Sequence, residues 1–400
     1  VSPATGQAWQ VQVRAPFPEA PEFLIGRVAA RSPAFAANDA ADGRRVLIGS
    51  AAGTERDDVA RRAEGELLER MHNVLAGHLA RQQAVIGSYT ALRRAGRPAL
   101  DPRAWPELRP APGACGQDAR ETELPWVEGT SLTGAGRLLV PACAVYLAHR
   151  PPARCAAPLR PGSTGLAAHP SVAAARRHAV LEILERDLLW HAWYAHGPRL
   201  APLGAAPLGD RQQQVLDTLG LRERCTVLPG PAGTACVVAC LSDADGTRQS
   251  FGARATDDGL APAAVSAVRE ALMVRWSMGT VSARAVWARL RADPERPPHG
   301  PVEHALHAFH RQDGLAHLLR GAAEALWHTP SPPAADQELP RLLAGRTGED
   351  VVEVPTTVLG LGDDAVAVVR VVAPGARRMP VDEPPQAADA PSPQPPHPLG

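Results

Sequence analysis

Apolar residues along this chain follow two different spacings, and the switches between them predict the order of elements. Val59, Ala63, Leu67, Met71 and Val74 recur every three or four residues, the period of one buried helix face. They predict an amphipathic helix introduced by Thr54 and Asp57–Asp58 and running to about Leu79. Two more long helices are predicted from Ser171 to about Tyr194 and from Pro262 to about Met278, with shorter ones up to Leu343. Runs bounded by Gly and Pro predict strands at Ala8–Arg14, Phe23–Ala29, Arg45–Gly49, Trp126–Gly129, Arg137–Leu147, Ala235–Leu241, Gly252–Ala255, Val351–Thr356 and Ala365–Val372. Thr133–Gly136 and Ser242–Gly246 read as hairpin turns. Residues 96–125 read as an irregular connection, Ser163–Ala168 as a loop of small residues, and the stretch after Tyr194 as a linker. Strands and helices do not alternate strictly, so the expected class is α+β, mixed sheets packed with long helices, and not a doubly wound parallel sheet. Residues 1–380 read as one domain and 381–400 as a proline-rich tail, disordered or extended.

Composition narrows the chemistry. The 400 residues are 45% hydrophobic, and 42 basic residues balance 42 acidic ones, so no global positive field draws nucleic acid or an anionic membrane. Lysine is absent, which excludes a Schiff-base lysine and the lysine of a Walker-type phosphate loop. Any bound phosphate must be neutralised by arginine, backbone N–H groups or metal. Cys115, Cys143, Cys155, Cys225, Cys236 and Cys240 form no Cys-x-x-Cys pair, so zinc-knuckle spacing is absent and buried thiols are expected. No signal-peptide pattern and no apolar run of membrane-spanning length is found, and a reducing cytoplasm is the expected location.

The candidate chemistry lies on the predicted helices. Glu66, Glu69 and Arg70 on the first are matched by Glu182, Glu185 and Arg186 on the second, and Glu270 and Arg275 lie on the third. Positions i and i+3 share a face, so each pair of carboxylates points the same way. A single Glu-x-x-Glu-Arg is ordinarily a solvated helix surface. Here Leu67 and Leu68 lie inside the first motif, and Leu181, Ile183, Leu184, Leu188 and Leu189 surround the second. Like charges on apolar helices call for a cation, and magnesium is one that carboxylates and substrate phosphates bind together.

An ordered set of segments then resembles the YcaO family. They are Gly65–Arg70, Trp126–Leu132, Val140–Ala142, Gly165–Ala168, Leu181–Asp187, Gly252–Ala253, Glu270–Ala271 with Arg275, and Val372–Gly375, clearest between residues 45 and 380. The resemblance implies a YcaO-like fold whose helices carry an acidic nucleotide site with ATP and Mg2+ as cofactors. It implies Glu66, Glu69, Glu182 and Glu185 as metal ligands, and Arg70, Arg186, Glu270 and Arg275 as completing the nucleotide pocket. The implied activity is an ATP-dependent cyclodehydratase that phosphorylates a backbone amide of a ribosomally made precursor peptide and closes Cys or Ser/Thr into thiazoline or oxazoline. The implied partner is a separate leader-peptide-binding protein, and a homodimer is compatible with it.

Azoline-forming members end in prolines that reach the active site. By that resemblance Pro395, Pro396, His397, Pro398 and Gly400 belong to the catalytic set. Three positions depart from the family pattern, with Arg62, Ala174 and Met273 standing where serine, glutamate and glutamine are usual. They keep two alternatives open: a non-catalytic subunit that docks substrate for a catalytic paralogue, and a thioamide-forming enzyme for which the proline tail is incidental. His304, His307 and His310 drift around a helix and lack an obvious carboxylate beyond Glu303, so structural or surface roles are expected.

Overall fold

The computed structural model describes residues 9–35, 46–109, 118–134, 136–160, 162–327, 338–361, 366–383 and 394–399. In chain order the elements begin with β1 (Gln12–Arg14), β2 (Leu24–Arg31), β3 (Val46–Gly53), α1 (Arg56–Ala80), β4 (Val85–Gly87) and α2 (Tyr89–Arg94). Next come β5 (Leu124–Ser131), β6 (Arg137–Pro141), α3 (Ala142–Val145), β7 (Leu166–His169) and α4 (Val172–Tyr194). A second half holds β8 (Leu200–Pro202), α5 (Asp210–Thr218), β9 (Arg222–Pro229), β10 (Ala235–Ser242), β11 (Ser250–Thr256) and α6 (Leu260–Met278). The remainder comprises α7 (Val281–Ala292), α8 (Gly300–Arg311), α9 (Gly314–Leu319), β12 (Ala323–Ala325), α10 (Glu338–Thr347), β13 (Val352–Pro355) and β14 (Ala367–Val372).

The strands form three sheets. One has the order β1-β2-β3, one β11-β10-β9-β8-β12, and one β4-β5-β13-β14-β7 with β6 paired to β5. Among the described residues every pairing between strands is antiparallel except β8–β12, and the class is α+β. No described helix is long and apolar enough to cross a membrane.

Each long helix is wedged between two sheets. Helix α1 buries Val59, Ala63, Leu67, Met71 and Val74 against Val28 and Ala51 of the three-stranded sheet, and its other flank meets β7 and β14. Helix α4 is apolar nearly all round, as a helix buried on both sides must be. It packs Leu181, Ile183, Leu184, Leu188 and Leu189 between Val369 and Val371 on one side and Cys236, Val238 and Phe251 on the other. Helix α6 packs Ala267, Val268, Ala271 and Leu272 between Val237 and Leu241 of the five-stranded sheet and Ile25 and Ala52 of the three-stranded one. Full burial of each large apolar side chain contributes about 1.5–3 kcal/mol.

Glycines set the closeness of these packings. A Cβ at Gly49 in β3 would lie 2.0 Å from Ala63 O of α1, and one at Gly252 in β11 2.2 Å from Ala267 O of α6. Strand backbone therefore lies directly against helix backbone at both places.

Several predicted boundaries move. The strand expected over Arg137–Leu147 stops at Pro141, which has no N–H for the ladder, and Ala142–Val145 turn into one helical turn. Strand Ala8–Arg14 shortens to Gln12–Arg14, and half of the expected loop Ser163–Ala168 becomes β7. The expected linker after Tyr194 contains β8, α5 and β9. Cys143, Cys155, Cys225, Cys236 and Cys240 are buried free thiols, as expected, and Cys115 lies outside the described residues.

Candidate active site

The close approach of β3 to α1 brings the first motif against a strand edge. Ser50 donates its backbone N–H to Glu66 Oε2, and its hydroxyl lies 3.3 Å from the same oxygen. Arg70 Nη2 donates to Glu66 Oε1 at 2.6 Å, and Nη1 donates to Ile48 O. Glu69, one turn from Glu66 on the same face, is half-buried.

The second and third helices repeat the device. Gly165, at φ 83°, admits β14 backbone and Ile183 at distances a side chain would block, and its N–H donates to Glu182 Oε2 at 3.0 Å. Ala255 N–H in β11 donates to Glu185 Oε2 at 2.9 Å, and Ala253 N–H, two residues back, donates to Glu270 Oε2 at 2.8 Å. Helices α1, α4 and α6 thus each pin a glutamate by one oxygen to a backbone N–H.

Electrostatic coupling shows that these carboxylates share one region. Glu69 is pushed well above the ordinary carboxylate range by burial and then by the charges of Glu182 and Glu66. Glu182 is raised to about 7 by burial, with Glu185 adding to the shift and Arg186, Arg370 and the Gly165 N–H opposing it. Glu270 is raised by burial and by Glu185. Burial pulls against the charge of Arg186, but Glu185, Glu270 and Glu182 outweigh it and raise its pKa. Arg186 Nη2 lies 3.7 Å from Glu185 Oε1.

Sequence reasoning missed one member. Arg370 of β14 is 3% exposed. Its Nη1 donates to Gly162 O at 2.8 Å, while its Nε has no hydrogen-bond partner. Burial pushes its pKa down to about 10, helped by Arg378 and resisted by Glu182 and Glu69. The available signal was an arginine inside the apolar strand Ala367–Val372, since a charge there must be paired.

Arg275 is a correction. The structure does not bring it into the acidic cluster, although it lies on the same helix as Glu270. Its guanidinium pairs with Asp243 in the β10–β11 turn, donates to Arg248 O at 2.6 Å and lies 5.8 Å from the Phe309 ring centroid. Positions 270 and 275 are five residues apart, so their side chains diverge by roughly 140° around the helix.

Residues 381–383 and 394–399 of the tail are described. Trp193 donates its indole N–H to Pro395 O at 2.9 Å, and Gln394 Nε2 donates to Trp193 O at 2.6 Å. His397 and Pro398 are buried, Pro396 is half-buried, and Leu399 joins the cluster containing Leu184 and Leu188. Residues 394–399 are therefore docked chain, which corrects the expectation of disorder for them; Gly400 lies outside the described residues. Trp193 is eight residues beyond Glu185, about 12 Å along the helix.

The family model described as YcaO cyclodehydratase, ATP- and Mg2+-binding, matches residues 51–377. This chain belongs to the YcaO family. Among solved structures, a heterocyclase in complex with substrate and cofactor superposes with TM-score 0.66 at 18% identity, covering 92% of this chain and 50% of that one. The YcaO from Methanopyrus kandleri, bound with AMPPCP and Mg2+, gives TM-score 0.57 at 19% identity, covering 92% and 86%. The Escherichia coli microcin synthetase McbBCD complex gives 0.62 at 14%, covering 94% and 90%. A curated relative, an uncharacterised protein of Methanothermobacter thermautotrophicus, is 34% identical over 82 residues, 20% of each chain. The chain thus spans half of the heterocyclase's length and a fifth of the curated relative's.

The residues present fit the family's ATP and Mg2+. Carboxylates from three helices, raised in pKa by one another, are a hard-oxygen set suited to a divalent cation. The unpartnered Nε of Arg370 is a buried donor suited to a phosphate oxygen. Of the three departures from the YcaO pattern, Arg62 and Met273 have local explanations, and nothing in the structure explains alanine at position 174. Arg62 donates to Ala52 O at 2.6 Å and Asp58 at 2.8 Å, tying α1 to the end of β3. Ala174 N–H donates to Ser171 Oγ at 3.2 Å, the N-cap bond that opens α4. Met273 packs with Trp276 against the apolar cluster of α6.

Proposed function

We propose that this YcaO chain is the ATP-dependent cyclodehydratase subunit that converts Cys or Ser/Thr of a ribosomally made precursor peptide to thiazoline or oxazoline. It would do so through backbone amide phosphorylation, beside a separate leader-peptide-binding protein. The observation that carries the reading is the convergence of Glu69, Glu182, Glu185 and Glu270 around Arg186 and Arg370. A relative that is itself a multi-component microcin synthetase supports the partner.

In this reading Glu66, Glu69, Glu182 and Glu185 hold magnesium, and Arg186 and Arg370 face phosphate oxygens. When bound, magnesium ATP supplies the phosphoryl group that turns the amide oxygen into a leaving group. The chain's own residues supply position and charge. The backbone N–H groups at Ser50, Gly165, Ala255 and Ala253 fix one oxygen each of Glu66, Glu182, Glu185 and Glu270, so less reorganisation is required when the cation arrives. Burial raises the Glu182 pKa to about 7, which favours its neutral form and mutes like-charge repulsion. Arg186 stays cationic among the carboxylates and limits their net charge.

The test incubates precursor peptide with the chain, ATP and magnesium, with and without the leader-binding protein, and follows water loss by mass spectrometry. Loss of water that needs all components is expected. Vigorous loss without the partner, or none with it, contradicts the reading. A second reading, a docking subunit without turnover, is favoured by Arg62 and Met273 serving local contacts. It predicts substrate binding with no ATP consumption.

A further inference from the structure

We propose that Glu383 is the positioning residue of the C-terminal segment, a clamp that takes two hydrogen bonds and a close His304 contact to seat residues 394–399 on helices α4 and α8. Its effect on turnover rests on the proposed function, in which that segment contributes to the site; the docking itself does not.

The carboxylate gathers contacts from three places. Tyr194 of α4 donates its hydroxyl to Oε2 at 2.9 Å, and the His397 backbone N–H donates to Oε1 at 2.8 Å. His304 of α8 brings Nε2 to 3.1 Å from Oε1. Both imidazoles are buried, at 0% and 2% exposure. Gly300 O accepts from His304 Nδ1 at 2.8 Å. His304 and Glu383 thus lie in direct contact, and the carboxylate joins α4, α8 and the C-terminal segment at one point. His397 donates from Nε2 to Pro380 O at 2.9 Å and stacks on His304 with ring centroids 3.9 Å apart. Burial and the neighbouring His304 push its pKa down to about 4, so the ring that covers His304 is neutral.

His304, Glu383 and His397 also offer ligand atoms within 4.8 Å of one another, which raises a divalent metal as an alternative. Metal bonds to imidazole lie in the ring plane, and these planes are only 21° apart. Two such planes do not meet within bonding reach of both rings, which favours the clamp.

The experiment uses the full chain with its partner protein and compares wild type with Glu383→Gln, His304→Gln and Tyr194→Phe. Hydrogen exchange of the peptide spanning 391–400 reads docking through the His397 amide. Exchange should accelerate about tenfold or more in Glu383→Gln and His304→Gln and less in Tyr194→Phe, as expected for losing bonds to a charged group. Affinity for magnesium AMPPCP should stay within about twofold of wild type while kcat falls about tenfold, a split that general destabilisation would not produce. Unchanged exchange in both Glu383→Gln and His304→Gln overturns the clamp. So does slowing of wild-type exchange by added zinc that is lost in His304→Gln, which would make the trio a metal site. Accelerated exchange with unchanged kcat upholds the clamp and removes the segment from the proposed reaction.

Discussion

Glu66–Arg70 and Glu182–Arg186 are spelled alike and end in different surroundings. In α1, Arg70 folds back onto Glu66 and onto Ile48 O at the sheet edge, and its side chain keeps 28% exposure. In α4, Arg186 keeps 15% and is held among Glu185, Glu270 and Glu182. The first arginine serves one carboxylate at the rim, whereas the second is the shared counter-ion of the cluster. Both helices lie between sheets, but Arg70 reaches the edge strand β3 whereas Arg186 lies where Glu182, Glu185 and Glu270 act on it. Motif spacing therefore decides which way the side chains point, and burial decides what the arginine does.

Replacing the two arginines breaks the comparison most strongly. Arg186→Ala should cost about 3–5 kcal/mol of stability, because buried carboxylates lose their cation, and should abolish magnesium-nucleotide binding. Urea unfolding and calorimetry would measure the two effects. Next in size, Glu182→Gln should weaken magnesium-nucleotide binding about 100-fold and Glu66→Gln about tenfold; equal effects would place both motifs at the same depth.

The pH dependence sharpens the same contrast. Binding a cation requires Glu182 to lose its proton, so affinity should fall up to about tenfold per unit as pH drops below about 7. Glu69, also raised, acts in the same direction. The nucleotide-free chain should show the opposite trend. A carboxylate whose folded pKa is raised contributes stability that is full below its ordinary value and lost as pH rises through about 7. Glu182→Gln should flatten both curves. The smallest effect belongs to Arg70→Ala, under about 1 kcal/mol, as for a partly exposed i,i+4 pair.

Much of this was legible in the sequence where a local rule governs the outcome. The spacing of Val59, Ala63, Leu67, Met71 and Val74 marked α1, Ser171 marked the cap of α4, and both glutamate pairs fell where helical periodicity put them. Failures came where tertiary surroundings decide. Strand β9 opens with three charged residues, Arg222, Glu223 and Arg224, and lies beyond the Pro, Gly and Ala that suggested a linker. Arg275 was assigned to the cluster through Glu270, but only the position of the Asp243 turn determines where its side chain goes. His304 had no carboxylate in its own helix beyond Glu303, and Glu383 supplies one from far along the chain.

The most direct test of the central claim, that the three helices build one magnesium-dependent nucleotide site, is a calorimetric titration of the chain with AMPPCP. It should be run with and without magnesium, at pH 6.5 and 8, in buffers of different ionisation enthalpy. The account predicts binding only with magnesium, with proton release at pH 6.5 that shrinks at pH 8 and is diminished in Glu182→Gln. Magnesium-independent binding, or magnesium-dependent binding with no proton released at either pH, would contradict it.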